Sequence, residues 1–184
     1  LILANLEKNY RLNLQETFLF STLAWLFAAT FGSLPFIFST LNFSISDAFF
    51  ESMSGITTTG STVISNLDDA PKSILLWRAI MQWLGGIGII VMAITVFPLL
   101  KVGGMQLFKM ESSQDTEKIF PRTAEIAKTI ISTYLILTLV CGVFYWFFGM
   151  NVFDSIAHAM TTIATGGFST HTESIGYFKS SNIE

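Results

Sequence analysis

Apolar positions along the chain gather into three long runs, 17–39, 74–100 and 129–148, with polar residues returning between them. The first and third runs hold no charged side chain, and the second is interrupted only by Arg78 near its start. At ~1.5 Å per residue, each run is long enough to cross a hydrocarbon layer of ~30 Å as a helix. The first is too long for a cleaved signal peptide, and no A-x-A-like site follows it. Its flank, Glu7-Lys8-Asn9-Tyr10-Arg11, reads as an interfacial segment. After the first and third runs comes a short amphipathic stretch, 47–57 and 152–163, too short to cross. Each ends in a Thr/Gly-rich run, 57–61 and 164–168.

Composition agrees with the pattern. Hydrophobic residues make up 51% of the 184, charged residues 12%, and mean hydropathy is +0.57. The charged share in soluble domains is about 25%, so the chain reads as an all-α integral membrane protein. High apolar content with a net charge of only −3 excludes disorder. Ten Lys+Arg against 13 Asp+Glu leave no basic excess for nucleic acid. A single cysteine, Cys141, excludes an intramolecular disulfide, a CxxC redox pair and a cysteine-based zinc site.

Basic residues set an expected orientation. Segments 1–16 and 101–128 carry seven Lys/Arg between them, whereas 40–73 and 150–184 carry only Lys72 and Lys179. The positive-inside rule places the N-terminus and 101–128 in the cytoplasm and the other two segments outside. Segment 101–128 is mixed in sign and contains Gly103-Gly104 and Pro121, so it reads as a cytoplasmic linker between two units. Its middle, 111–118, reads as a solvated loop, and 121–128 as the start of the helix that becomes the third span.

The two external segments repeat one another. With a shift of 107 residues, Asp47 meets Asp154, Met53 meets Met160, Ile56 meets Ile163, Thr58 meets Thr165 and Gly60 meets Gly167. Conservative pairs (Ile45 with Val152, Ser54 with Thr161, Thr62 with Ser169) extend the match. Two copies of one supersecondary unit follow, a common design in transport proteins. Ser46 and Asp47 are expected to cap and open the first short helix, and Asn151 and Asp154 the second. A helix of about eleven residues spans only ~16 Å, so it enters the membrane and the chain must turn back. Irregular backbone at that depth is tolerated where it lines a water-filled path. Glycine and threonine there supply carbonyl and hydroxyl oxygens that can replace the water shell of a monovalent cation. A divalent-ion site would call for more carboxylates. The expected unit is therefore membrane helix, re-entrant pore helix, filter, membrane helix, as in a potassium-channel-like pore.

Several of these motifs resemble one family. Ser54-Gly55-Ile56-Thr57-Thr58-Thr59-Gly60-Ser61-Thr62 and Thr162-Ile163-Ala164-Thr165-Gly166-Gly167-Phe168-Ser169-Thr170 resemble the first two filter segments of TrkH-type potassium uptake proteins, relatives of KtrB and the plant HKT transporters. Trp83-Leu84-Gly85-Gly86-Ile87-Gly88-Ile89 and Val102-Gly103-Gly104-Met105-Gln106 resemble further segments in the same order. The resemblance implies four such repeats around one pore. Residues 17–100 would form the first and 129–184 the first half of the second, making this chain part of a larger subunit. It implies potassium as transported substrate with Thr58, Thr59, Gly60, Thr165, Gly166 and Gly167 as its ligands, no catalytic residue and no cofactor. It also implies a homodimer in a bacterial inner membrane, in contact with lipid and with a cytoplasmic TrkA-like nucleotide-binding regulator. A sodium-conducting or sodium-coupled relative is the alternative. In HKT relatives a serine at the first filter glycine accompanies sodium preference, and Gly60 stands there.

The remaining chemistry-bearing residues have plainer readings. Arg78 would cost ~2.5–3.5 kcal/mol at the bilayer centre but lies one turn inside the external end of its run. It is expected to brace the pore helix, to pair with an acid such as Glu51 or Asp68, or to shape the ion entrance. Gly85-Gly86-Ile87-Gly88 lacks nucleotide-loop spacing and reads as close helix packing against the filter. Asp47 and Asp154 read as helix-start residues rather than ion ligands. His158, His171 and Ser169 lack the nucleophile elbow of a hydrolase. Cys141 reads as packing, and the aromatics at 144–148 as an interfacial belt. Trp25, Trp77 and Trp83 suit lipid contact and helix packing equally.

Overall fold

The computed structural model describes residues 14–100, 119–181 and 183. Most of the expected N-terminal segment 1–16 and most of the linker 101–128, including the Val102–Gln106 motif and the loop 111–118, lie outside the described residues. Among the described residues the regular structure is helical throughout. Helix α1 spans Leu14–Gly32, α2 Leu34–Ile37, α3 Ile45–Ile56, α4 Lys72–Leu100, α5 Ile119–Phe147 and α6 Val152–Ile163. A 3-10 turn covers Ser174–Phe178. Among the described residues, three stretches are long and apolar enough to cross a membrane: Gln15–Ile37, Lys72–Met92 and Ala127–Phe147.

The first span is broken near its end. Pro35 sits in the first turn of α2, where its missing N–H costs nothing, but it cannot continue the hydrogen-bond ladder of α1. The chain re-enters as α2 and brings Phe36, wholly buried, into a core with Ala48 of α3 and Ile74 and Met81 of α4. A second small core, Leu67, Ala70 and Leu75, anchors the loop before α4. The outer faces of α1 and α5 stay apolar and uncovered, with Phe20, Phe31, Leu139 and Phe147 all exposed. Such faces suit hydrocarbon, because the helix bonds already satisfy the backbone.

The short helices begin differently from the sequence expectation. The cap of α3 is Ser44, not Ser46, and the helix runs from Ile45 to Ile56 rather than over 47–57. Asp47 N–H donates to Ser44 Oγ at 3.1 Å, a side-chain N-cap, while the Ser44 hydroxyl donates to Asp47 Oδ2 at 2.7 Å. Ser46 is the second helical residue, directly before Asp47 and two positions past the cap, so the third helical N–H is capped by Ser44 instead. Helix α6 starts in the same way: Asp154 N–H donates to Asn151 Oδ1 at 3.0 Å, and the Asn151 amide donates to Asp154 Oδ2. Ser44 and Asn151 are themselves 107 residues apart. With 12 residues each, α3 and α6 reach only about 18 Å.

Candidate functional site

Each short helix ends in the same turn. Thr58 N–H donates to Gly55 O and Thr59 N–H to Ser54 O, both at 2.9 Å. In the second copy, Thr165 N–H donates to Thr162 O and Gly166 N–H to Thr161 O, again both at 2.9 Å. Thr58 and Thr165 are left-handed, with φ of 56° and 54°, and Gly60 and Gly167 follow at 82° and 78°. A left-handed threonine is unfavourable, and finding it twice at matched positions marks a backbone held there by its surroundings. The extended run after each turn leaves Thr59, Thr165 and Gly167 exposed and Gly166 buried. Among the described residues no three His, Cys, Asp or Glu side chains gather as a metal site. The oxygen donors at these turns are therefore main-chain carbonyls and threonine hydroxyls.

Behind the turns, each copy straps its short helix to the chain emerging from the run. In the first copy Glu51, wholly buried, accepts from the Thr62 hydroxyl at 2.8 Å and from Val63 N–H at 3.0 Å. Its charge is met by Arg78 of α4, with Nε 2.7 Å from Glu51 Oε1. In the second copy His158 and Ser169 occupy the corresponding places, 3.0 Å apart. Nδ1 of His158 donates to the main-chain carbonyl of Asp154, which leaves Nε2 to accept the Ser169 hydroxyl. Although Ser169 and His158 do meet, the carboxylate of Asp154 is turned elsewhere, and both side chains are buried. The arrangement is a strap equivalent to Glu51–Thr62 rather than a hydrolytic relay.

A second link, centred on His171, ties the two copies together. The His171 ring stacks on Tyr177 with centroids 3.6 Å apart. Its Nδ1 lies 2.6 Å from Asp68 Oδ1 and its Nε2 lies 3.1 Å from Asp154 Oδ2. The ring thus sits between two carboxylates, one from the loop of the first copy and one from the short helix of the second. Hydrogen bonds from His171 and Thr172 hold the Asp68 carboxyl below its ordinary value. Burial pushes the Asp154 carboxyl up, but bonds from Thr170 and His171 outweigh it and leave it below its ordinary value.

Helix α4 runs between the copies and touches both. A Cβ on Gly85 would lie 2.0 Å from Ile56 O, at the end of α3, and one on Gly86 would lie 3.1 Å from Ala164 Cα, just after α6. These glycines are close-packing positions, as the sequence suggests. Arg78 Nη1 donates to Ser169 O at 2.9 Å, and its guanidinium lies 3.9 Å from the Phe168 ring centroid. Arg78 thus pairs with Glu51, one of its two expected acids, and also reaches the second copy. The runs themselves meet where Gly60 faces Gly166 O, which a Cβ would approach to 2.0 Å. Trp77 Nε1 donates to Gly32 O and Trp83 Nε1 to Thr138 Oγ1, so both tryptophans join helices. Sequence reasoning missed Gln82, wholly buried and bonded to both Gly166 O and Phe168 N–H. The available signal was an uncharged polar side chain inside an apolar run.

This architecture, two copies of span, short capped helix and left-handed Thr/Gly turn joined along one shared helix, is that of a multi-pass membrane protein. The TrkH family model, described as a cation transport protein, matches residues 1–184, and the chain belongs to that family. The Trk system potassium uptake protein TrkH of Escherichia coli K12 is 49% identical over 182 residues, covering 97% of this chain and 38% of that protein. TrkG of the same strain is 40% identical over 181 residues, 97% of this chain and 37% of that protein. The crystal structure of the potassium transporter TrkH from Vibrio parahaemolyticus matches with a TM-score of 0.80 and 44% identity, over 97% of this chain and 35% of that one. The chain therefore spans under two-fifths of the length of these relatives.

Proposed function

We propose that this chain forms two adjacent walls of a potassium-uptake pore in a bacterial cytoplasmic membrane, as part of the pore subunit of a Trk-type system. The observation that carries the reading is the paired left-handed turn, Thr58 through Gly60 and Thr165 through Gly167. Potassium is the transported substrate, and Thr58, Thr59, Gly60, Thr165, Gly166 and Gly167 are the residues that bind it. The units are 17–100, with pore helix 45–56 and filter 57–61, and 129–184, with pore helix 152–163 and filter 164–168. The cytoplasmic linker 101–128 separates them. Negative ends of the α3 and α6 dipoles lie at the turns and favour a cation there. Inward movement is driven by the membrane potential, ~2.3 kcal/mol per charge per 100 mV. The N-terminus and 101–128 face the cytoplasm, the subunit is a homodimer, and a TrkA-like regulator docks on the inner face at 101–128. Transport needs no covalent chemistry, so the protein is not an enzyme.

The test is potassium uptake by the full-length protein in cells lacking their own uptake systems. Growth at low potassium should be rescued, and Gly60→Ser or Gly167→Ser should lose the rescue or admit sodium. Normal membrane insertion without rescue, with and without a TrkA-like partner, would overturn the reading. Retained regulator binding after deletion of 111–118 would remove that segment from the contact.

A further inference from the structure

Gln82 grips two consecutive peptide groups of the second turn. Its Nε2 donates to Gly166 O at 2.9 Å and its Oε1 accepts from Phe168 N–H at 3.0 Å. The partners fix the amide orientation, because a carbonyl only accepts and an N–H only donates. These two peptide groups flank Gly167, whose φ is 78°. In a trans peptide the C=O and N–H point in opposite directions, and no cis bond occurs among the described residues. With Phe168 N–H drawn toward α4, the Gly167 carbonyl points away from α4. The Gly166 carbonyl instead turns toward α4 and lies against Gly60. Exposure follows the same division: Gly166 is buried, while Gly167 is exposed with nothing within 4 Å of where a Cβ would stand. An apolar side chain would be the cheaper choice inside a membrane helix, so the amide is retained for what it holds.

We propose that Gln82 is a selectivity-setting positioning residue that aims the Gly167 carbonyl at the cation path and withdraws the Gly166 carbonyl into the joint between the two copies. The proposal rests on the potassium-pore reading and refines its ligand set. It makes α4, which belongs to the first copy, the element that sets the shape of the second filter segment.

The test compares potassium and sodium uptake by the full-length protein, normalised to the amount inserted in the membrane, for wild type, Gln82→Glu and Gln82→Met. A glutamate at this position still accepts from Phe168 N–H but has no proton for Gly166 O when ionised, and the potassium-over-sodium ratio should fall about fivefold. Methionine loses both bonds, and the ratio should fall at least about tenfold, with a raised KM for potassium. A ratio and KM within about twofold of wild type in both variants, whatever their abundance, would overturn the proposal. Failure of both variants to insert would overturn it too, by showing Gln82 to be needed for folding alone. A wild-type protein that carries no potassium would instead overturn the underlying reading.

Discussion

The two copies share a backbone and differ in the side chains that hold it. Cap position, helix length, turn hydrogen bonds and the left-handed φ values repeat across the 107-residue shift. The straps do not: the first copy uses a buried ion pair, Glu51 with Arg78, and the second an uncharged His158–Ser169 bond. The first-turn aspartates differ as well, since Asp47 is exposed and serves only its cap, whereas Asp154 is buried and bonded to Thr170 and His171. The turn is thus the invariant element, and any hydrogen bond joining the short helix to the emerging chain serves to hold it. Fixing the same main-chain shape by different side chains is what the proposed path, lined by backbone oxygens, would permit.

The largest expected effect breaks the charged strap. Arg78→Ala leaves Glu51 buried without a counter-charge and should cost about 3–5 kcal/mol. His158→Ala in the second copy removes a neutral bond and should cost about 1–3 kcal/mol. Thermal unfolding of the detergent-solubilised full-length protein compares the two, and equal losses would contradict the assignment of the charge to one copy. Next come the glycines. Gly60→Ala combines a left-handed φ with a collision at Gly166 O, whereas Gly167→Ala meets only the φ cost of roughly 1 kcal/mol. The first should therefore reduce inserted protein and potassium uptake more than the second.

The His171 link makes a pH prediction. Asp68 and Asp154 both have depressed folded values, so their contribution is present above the ordinary 3.8 and is lost as pH falls through the folded values. Between pH 6 and 8 these carboxylates should leave the melting temperature unchanged. Below pH 4 it should drop, and Asp68→Asn should flatten part of that drop. The smallest effects are expected at the caps, where Ser44→Ala and Asn151→Ala should each cost about 1 kcal/mol. A marked difference between them would show that the helix starts are less alike than their geometry.

Much of this was legible in the sequence because it depends on local pattern. Three apolar runs and an exact offset of five identities mark the spans and the repeat, and Thr/Gly runs mark the turns. The cap was misplaced by two residues because Ser44 and Ser46 both precede Asp47. The 107-residue offset from Asn151 points to Ser44. The straps were not legible, because Glu51 and His158 share no chemistry and meet their partners only once the chain turns back. Gln82 is 84 residues from Gly166 and 86 from Phe168, a separation that no local pattern bridges. Arg78 was partly legible: a charge inside a span demands a partner, and Glu51 was one of two candidates.

The most direct test of the central claim, that the paired turns form part of a cation path, is a crystal structure of the full-length protein soaked in thallium, a potassium mimic with strong anomalous scattering. The account predicts anomalous peaks on the pore axis within coordinating distance of oxygens from Thr58 through Gly60 and Thr165 through Gly167. Peaks elsewhere in the protein, with none beside these turns, would contradict it.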